Sequence, residues 1–302
     1  MNSKVIVCWL IFLVARSAAA IDFFADENGG SIVIVTASDS TYYRFLLNFI
    51  GGLHRVDFEH LKEIMVFDLG LEQEQKAALA TIKKVGIYAI EKVNQDVLRL
   101  FTTTHYGKKV AGWYAWKPVA IKQALDRYPT ILWMDAGTNI FHSILPLFKH
   151  VEQHGFFGIT VNHSIAWGAT SFVRAHFDGW VDFNENCVAG GHLGFSRKLY
   201  KTIVHPIYQH VKDLRFFADD GTTPDGFGTG RHDQILWSIY IRKYQLPVMP
   251  ADGWMMLNVD GNDVPFHMHW HYQGVTKDTT LLQCRSGWFY DHLQYIQYKE
   301  AL

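Results

Sequence analysis

Short apolar runs alternate with stretches of helical periodicity along the first half of the chain. The apolar runs are rich in β-branched and large apolar residues and predict strands at 31–36, 64–68 and 130–134. Apolar residues that recur every three or four positions predict helices at 42–50, at 119–125, at 144–154 and from residue 71 onward. Residues 83–100 fit a strand at 85–90 and a short helix. Because strands and helices take turns, the pattern predicts a single-domain α/β fold with a mainly parallel central sheet.

The stretch 112–141 is the clearest unit of this pattern. An aromatic turn around Trp116 and Lys117 leads into an amphipathic helix. The helix stops at Tyr128-Pro129, because a proline biases the residue before it away from helical geometry. The next strand is apolar on both faces, as in a covered sheet, and ends in Asp135. Ligands of open α/β sheets bind outside the carboxyl ends of strands, so Asp135 is a candidate site residue; an Asp that caps the next turn is the alternative.

The pattern is less regular after residue 155. A segment around Gly190 and Gly191 precedes a predicted helix at 197–212. The polar, glycine-rich stretch 217–230 predicts a loop, either a lid over a site or a plain surface loop. Asp233-Gln234 then leads into a predicted helix at 235–244, and a histidine-rich segment follows.

Composition indicates a globular protein. The 302 residues are 49% hydrophobic and 15% aromatic, which is ample for one large core. The formal net charge of -1 gives no electrostatic support for nucleic acid or an anionic membrane surface as a partner.

Residues 1–20 predict a cleaved secretory signal. Lys4 supplies a positive start, residues 5–14 are an unbroken apolar run, and small residues follow. The run is shorter than the ~20 residues needed to span a bilayer, although an uncleaved anchor is the alternative. No later segment approaches spanning length, so the mature domain, 21–302, is expected in the lumen of the secretory pathway or outside the cell.

The mature chain keeps two cysteines and an N-glycosylation sequon. Cys187 and Cys284 could pair in an oxidising lumen, and two buried thiols are the alternative. Asn162-His163-Ser164 is an acceptor sequon. Both features are consistent with passage through the secretory pathway.

His267, His269 and His271 alternate in the histidine-rich segment. On a strand they would lie on one face, a spacing that suits metal ligation by neutral imidazole. Three such ligands with an open position would make a hydrolytic zinc site. A secreted zinc hydrolase is therefore one hypothesis, with ordinary histidines at 267 and 269 as the alternative.

The same segment contains the spacing H-x-x-G-x-x-K in His271, Gly274 and Lys277. One imidazole, one residue that allows close backbone approach and one ammonium can hold a metal-bridged diphosphate. Together with Asp135, this spacing predicts a site for a nucleotide diphosphate.

Four segments, in the same order, resemble the GT-A fold nucleotide-diphospho-sugar glycosyltransferases, most closely glycosyltransferase family 8, which includes glycogenin and bacterial galactosyltransferases. The segments are Thr36-Ala37-Ser38-Asp39 with Tyr42, the apolar strand ending in Asp135, Asp233-Gln234, and His271 with Gly274 and Lys277. Gly190-Gly191 is a weaker fifth match. Three features depart from the family: Gly137 stands at the second position of Asp-x-Asp, no Pro-Trp follows Lys277, and Trp116-Lys117-Pro118 replaces the family's arginine-bearing helix start, where Lys117 could take over the phosphate contact.

The resemblance implies a Rossmann-like, three-layer GT-A domain that transfers a sugar from a nucleotide-diphosphate donor, most simply a UDP-sugar, with retention of configuration. The acceptor would be a glycan, a protein or a small molecule. By the same resemblance, Asp233 and Gln234 would lie beside the anomeric carbon, Asp135 and His271 would hold Mn²⁺ or Mg²⁺, and the donor would contact Thr36, Asp39, Tyr42, Lys117, Gly274 and Lys277. Because Gly137 removes one metal ligand, a catalytically inactive GT-A domain that binds sugar is a third hypothesis.

Overall fold

The structure of the protein is a computed structural model. It describes residues 30–102, 109–250, 254–259, 262–270, 279–283 and 291–300, with the backbone alone at 254–259, 262–270 and 282–283. The predictions for residues 1–20, His271, Gly274, Lys277 and Cys284 lie outside the described residues. Among the described helices, none has the length and apolar character needed to cross a membrane.

Twelve strands and eight α-helices make up the described part of the chain. The strands, β1 to β12, are Ile32–Ser38, Leu61–Asp68, Val85–Ala89, Leu100–Thr102, Lys109–Ala111, Thr130–Met134, Thr138–Ile140, Phe156–Ser164, Asn186–Ser196, Trp254–Val259, Asn262–Trp270 and Leu281–Gln283. The helices, α1 to α8, are Tyr43–Asp57, Gln73–Ala80, Trp116–Arg127, Leu145–His154, Ile165–Gly168, Ser171–His176, His205–His210 and His232–Lys243.

The central sheet has six strands in the order β3-β2-β1-β6-β9-β8. β1 pairs in parallel with β2 and β6, and β2 pairs in parallel with β3. β9 is antiparallel to both of its neighbours, so β8 runs in the same direction as β6. The prediction of a mainly parallel sheet is confirmed. The carboxyl ends of β1, β2, β6 and β8 therefore share one edge.

Helices cover both faces of this sheet. Trp133 of β6 faces α3, where its ring centroid lies 5.8 Å from that of Trp116. Gly194 of β9 is packed so closely against Leu132 and against Val151 of α4 that a β-carbon there would overlap both. Because successive side chains of a strand point to opposite faces, α3 and α4 lie on opposite sides of the sheet. The predicted three-layer sandwich is present, and every residue of β1 and β6 is buried inside it.

A second sheet, in the order β10-β11-β12-β7, brings the C-terminal part of the chain to Asp135. Trp270 at the end of β11 is in register with Gln283, and Gln283 is in register with Thr138 of β7. Thr138 follows Asp135 by three residues, and its N–H donates to the Asp135 carbonyl at 3.0 Å. His267 and His269 lie on a strand, β11, which ends two strands away from the Asp135 turn.

The structure corrects two predictions and assigns one segment that the sequence left open. The glycine segment before residue 197 is the inside of β9, where glycine permits the close approach at Gly194. The helix predicted at 197–212 is broken into 3-10, π and α segments, of which α7 has Pro206 in its first turn, where the missing N–H interrupts the helical ladder. Residues 90–99 are irregular, with bends and one turn at 95–98, so the short helix predicted in 83–100 is wrong.

Candidate active site

A buried lysine lies between two aspartates at the edge where the parallel strands end. Lys117 Nζ donates to Asp135 Oδ1 at 3.2 Å and lies 3.5 Å from Asp233 Oδ2. It also donates to the Gly190 carbonyl of β9 at 3.0 Å. The three charged side chains come from α3, the end of β6 and the start of α8. We call Lys117, Asp135 and Asp233 the charge cluster.

An unusual backbone turn places Lys117 in the cluster. Gly112, Trp113 and Tyr114 all have left-handed conformations, with φ values of 51°, 48° and 64°. For a residue other than glycine this costs roughly 1–2 kcal/mol. The turn ends at Ala115, and Lys117 follows in the first turn of α3, with its stem buried and its ammonium 5.1 Å from the Trp133 ring centroid. Backbone strain of this kind tends to cluster at functional sites.

Asp135 is the member of the cluster that reaches solvent. Its side chain is 33% exposed, whereas those of Lys117 and Asp233 are nearly covered. Trp133 Nε1 donates to Asp135 Oδ1 at 3.0 Å, and the Asp135 N–H donates to the Gly191 carbonyl at 3.0 Å. Burial acts to raise the pKa of Asp135, but Lys117, His192 and Trp133 outweigh it and lower the pKa below its usual value. Asp135 is therefore a fixed, ionised carboxylate facing the crevice.

Asp233 is the buried carboxylate of the cluster. Burial raises its pKa to about 6; Lys117 opposes the rise and Asp135 adds to it. Trp237, one turn further along α8, donates from Nε1 to Asp233 Oδ2 at 3.1 Å. The preceding residue, His232, has a left-handed backbone with φ 48° and a ring Nδ1 that lies 2.7 Å from the Phe217 carbonyl. α8 thus begins at His232, three residues before the predicted start, and carries Asp233 and Gln234 in its first turn.

Gln234 points towards the outer strand of the sheet. Its Nε2 lies 3.4 Å from Nε2 of His163, which is at the carboxyl end of β8. The His163 ring lies 5.0 Å from the Trp167 ring. The predicted pair Asp233-Gln234 therefore faces two different neighbours, with Asp233 in the charge cluster and Gln234 beside His163.

The residues predicted for the nucleoside lie at the end of the neighbouring strand. Val35 of β1 is in register with Trp133 of β6, so Asp39 and Asp135 leave adjacent parallel strands, which lie about 5 Å apart, at the same edge. Asp39 Oδ1 accepts a hydrogen bond from the Tyr42 N–H at 3.0 Å, and both side chains are half-buried. Thr36 is fully buried inside β1, which places it behind the crevice as support for the strand end.

The structure does not test the zinc hypothesis, because it describes only the backbone of His267 and His269, which belong to β11. Among the residues whose side chains are described, no group of three or more histidine, cysteine, aspartate or glutamate side chains could hold a metal ion. Cys187 is a buried thiol whose pKa burial raises to about 12, which marks it as inert. Cys284, with which Cys187 could form a disulfide, lies outside the described residues.

The sequence did not indicate which groups hold the two carboxylates. Trp133 and Trp237 each donate an indole N–H to one of them, and the Gly190 carbonyl accepts from Lys117. The one available signal was spacing: Trp133 stands two residues before Asp135 on a strand, and Trp237 stands four residues after Asp233 on a helix. In each case that spacing places the indole on the same side as the carboxylate.

Comparisons with known proteins identify fold neighbours. No protein-family model matches the chain, and no curated protein matches it in sequence. Among solved structures it is similar to the galactosyltransferase LgtC in complex with donor and acceptor sugar analogs, at 13% identity and a TM-score of 0.45 over 74% of each chain. It is also similar to core-mannan synthase A (CmsA/Ktr4) from Aspergillus fumigatus in its Mn/GDP form, at 11% identity and a TM-score of 0.49, over 74% of this chain and 70% of that one.

Mouse xyloside xylosyltransferase 1 in its apo form is a further neighbour, at 13% identity and a TM-score of 0.46, over 74% of this chain and 85% of that one. These three neighbours are GT-A glycosyltransferases, the class that the sequence motifs resemble. Each TM-score is below 0.5, so the likeness carries no functional argument, and the function proposed below rests on the residues of the site.

Proposed function

We propose that this protein is a glycosyltransferase that moves a sugar from a nucleotide-diphosphate donor, a UDP-sugar, to a glycan, protein or small-molecule acceptor. The observation that carries the proposal is the charge cluster at the carboxyl ends of the central strands. A buried ion pair contributes little to folding, because apolar residues of similar volume are often as stabilising. A cluster assembled from three elements at a ligand-binding edge is better explained by a ligand.

The net charge of the cluster favours sugar hydroxyls over a bare anion. Two carboxylates and one ammonium sum to -1 when all are ionised, so an unaccompanied diphosphate would be repelled. Carboxylate oxygens and the Gln234 amide suit hydroxyl groups, which both donate and accept. We assign Asp233 and Gln234 to the sugar beside its anomeric carbon, with Lys117 and Trp237 holding the Asp233 carboxylate in place.

The same negative charge fits a divalent cation at Asp135. Its carboxylate is partly exposed and is oriented by Trp133 and Lys117, as the supporting partners of a metal ligand would do. Magnesium-type sites commonly use one or two carboxylates together with substrate phosphates. A metal site at Asp135 therefore does not require a second carboxylate at position 137. Asp135, with His271 from outside the described residues, would hold Mn²⁺ or Mg²⁺, which when bound offsets charge on the departing diphosphate.

The remaining assignments complete the donor site. Asp39 and Tyr42 would orient the nucleoside, and Thr36 supports their strand end from inside the sheet. Gly274 and Lys277 would contact the diphosphate, and the register of β11 with β12 and β7 supports an approach of the C-terminal segment to Asp135. If residues 1–20 are a signal, the enzyme works in the ER or Golgi lumen or outside the cell.

Thermal melting of the secreted protein with UDP, GDP and Mn²⁺, added singly and together, tests the proposal. A ligand at ~100 times its dissociation constant adds about 2.7 kcal/mol to the free energy of unfolding. UDP with Mn²⁺ should raise the melting temperature, and Asp135→Asn should abolish the rise. Asp126→Asn, at an exposed position late in α3, is the matched control that should keep it. A rise with Zn²⁺ alone, and none with nucleotide, would contradict the proposal and support the hydrolase.

A sugar-binding domain without turnover is the second candidate, because Gly137 replaces a metal ligand of the motif. The two candidates differ in UDP release. Incubation with UDP-glucose, UDP-galactose, UDP-xylose and UDP-N-acetylglucosamine should release UDP from one donor if the protein is a transferase. Stabilisation by UDP with no release from any donor would favour the second candidate.

A further inference from the structure

A cleft lies at the far end of α8 from the charge cluster. Its volume is about 590 Å³, and its walls include Trp180, Asp182, Glu185, Arg242, Lys243 and Gln245. Arg242 and Lys243 end the helix that begins beside Asp233. At 1.5 Å of rise per residue, about 15 Å of α8 separates the two places.

Arg242 and Trp180, two residues of the cleft wall, are held in place by contacts within the protein. Arg242 donates to the Asn186 carbonyl from Nε at 3.2 Å and from Nη2 at 2.9 Å, and its Nε lies 3.3 Å from Glu185 Oε2. Trp180 packs edge-to-face against Phe177 and Tyr240, with ring centroids 5.2 Å and 5.8 Å away. Groups that are already held in place lose little freedom on binding, which favours affinity.

The left-handed backbone of Gln245 is a further unusual feature of the cleft. Five residues other than glycine have left-handed backbones within the described ranges; three of them flank the charge cluster, and Gln245, with φ 51°, lines the cleft. Glycine is the usual residue at such a helix end, because it adopts this conformation without strain. The chain instead presents an amide side chain at the mouth of the cleft.

The chemistry of the walls suits a neutral, polyhydroxylated ligand. Asp182 and Glu185 balance Arg242 and Lys243, so the cleft has no net charge to attract phosphate or polyanions. Planar carboxylate, guanidinium and amide groups match pairs of hydroxyls. Trp180 is 39% exposed and offers an apolar ring surface to the C–H face of a sugar, although Lys243 Nζ lies 5.4 Å from its ring centroid.

We propose that this cleft binds a neutral oligosaccharide, at a site separate from the charge cluster. Binding at the cleft does not depend on the function proposed above. The further step, that the bound oligosaccharide is part of the acceptor, rests on that proposed function and on the helix that joins the two sites.

Binding of a panel of neutral hexasaccharides to the protein spanning residues 21–302 tests the proposal. The panel contains the linear hexamers of glucose, mannose, galactose, xylose and N-acetylglucosamine, and saturation-transfer NMR reports contact. We expect one hexamer to bind, and Trp180→Ala to weaken its binding at least about ten-fold, as the loss of a central aromatic contact does. Tyr244→Ala removes an exposed neighbouring aromatic that does not line the cleft and should leave binding unchanged.

A second variant separates loss of binding from loss of folding, because Trp180 also packs against the core and its removal affects both. Gln245→Gly relieves a left-handed backbone, so it should fold at least as well as the wild type while losing the amide. It should weaken hexasaccharide binding and leave the melting shift with UDP and Mn²⁺ intact. The inference is overturned if no hexamer binds, or if both variants bind like the wild type. If UDP and Mn²⁺ do not raise the melting temperature of the wild type, that result would count against the transferase and would not affect the conclusion about oligosaccharide binding at the cleft.

Discussion

The indole of Trp237 donates to the same Asp233 oxygen that faces Lys117, from one helical turn further along α8. This hydrogen bond favours the ionised carboxylate, because the N–H has a stronger partner in an anion than in a neutral acid. Trp237→Phe keeps most of the buried volume and removes the N–H. We expect the pKa of Asp233 to rise above its present value of about 6.

Carboxyl-carbon NMR titration of the aspartates measures this change. Trp116→Phe is the matched control, since Trp116 also lies near the cluster, 6.0 Å from the Lys117 ammonium. The control should leave the Asp233 titration where it is. A Trp237→Phe variant with an unchanged or lower Asp233 pKa would contradict the assigned role of the indole.

Replacing Lys117 by methionine should destabilise the fold strongly. The change leaves Asp135 and Asp233 facing each other without their shared cation, and removing one partner from a buried pair costs roughly 3–5 kcal/mol. Urea unfolding at pH 7 measures the loss. Lys122→Met on the same helix is the control, because Lys122 is nearer the surface and its pair with Asp126 is worth only about 0–1 kcal/mol. Equal losses in the two variants would mean that the cluster is not electrostatically coupled.

Asp233 makes the free energy of unfolding depend on pH. Its folded pKa, about 6, lies above the ordinary value of 3.8, so the folded state holds the proton more tightly than the unfolded state does. Stability from this group is therefore present below about pH 4 and is lost as the pH rises through about 6. Asp233→Asn should gain stability relative to the wild type over this range, by up to roughly 2–3 kcal/mol.

Urea unfolding at pH 4.5, 5.5, 6.5 and 7.5 measures the difference in the free energy of unfolding between Asp233→Asn and the wild type. Asp213 provides a control, because its hydrogen bonds to Arg215 lower its pKa and its proton linkage therefore lies below about pH 4. The effect of Asp213→Asn on the free energy of unfolding should therefore stay nearly constant across the four pH values. A flat difference for Asp233→Asn across the four pH values would show that its carboxyl titrates normally.

Mn²⁺ and UDP should bind cooperatively. Position 137 offers no side-chain ligand, so the nucleotide phosphates must supply the oxygens that the protein lacks. Saturating UDP should tighten Mn²⁺ binding about ten-fold or more, and linkage requires Mn²⁺ to tighten UDP binding equally. Isothermal titration calorimetry measures both. Gly137→Asp should strengthen Mn²⁺ binding without UDP, whereas Gly137→Ala, the steric control, should not; equal Mn²⁺ affinity with and without UDP would contradict this prediction.

Local patterns were enough to predict the inner part of the fold. The strand Thr130–Met134 matches the prediction residue for residue, because a short apolar run bounded by proline and aspartate has few alternatives. Asp135 and Lys117 were singled out by their positions at a strand end and a helix start. The ion pair of Lys117 with Asp233 was not predicted, since it joins residues more than one hundred positions apart and no local pattern records such a pairing.

The sequence patterns did not predict the structure of the middle of the chain, and the reasons are physical. β9 contains Gly190, Gly191 and Gly194, and the sequence predicted no strand there, yet burial between β6 and β8 on both sides holds them extended. α5 has four residues, too few to show a helical period. Tertiary packing decides the structure in both cases, as it does wherever intrinsic preference is weak.

The pairing of β7 with β12 has a consequence for how the protein is made. β7 lies directly after the Asp135 turn, and its partner, residues 281–283, comes more than 140 positions later in a chain of 302. During synthesis, β7 must wait with an open edge until residues 281–283 have left the ribosome, since domains assemble as their segments emerge. The crevice is therefore completed late relative to the strands around it, and a nascent chain that stops before residue 281 would carry an unpaired strand beside Asp135.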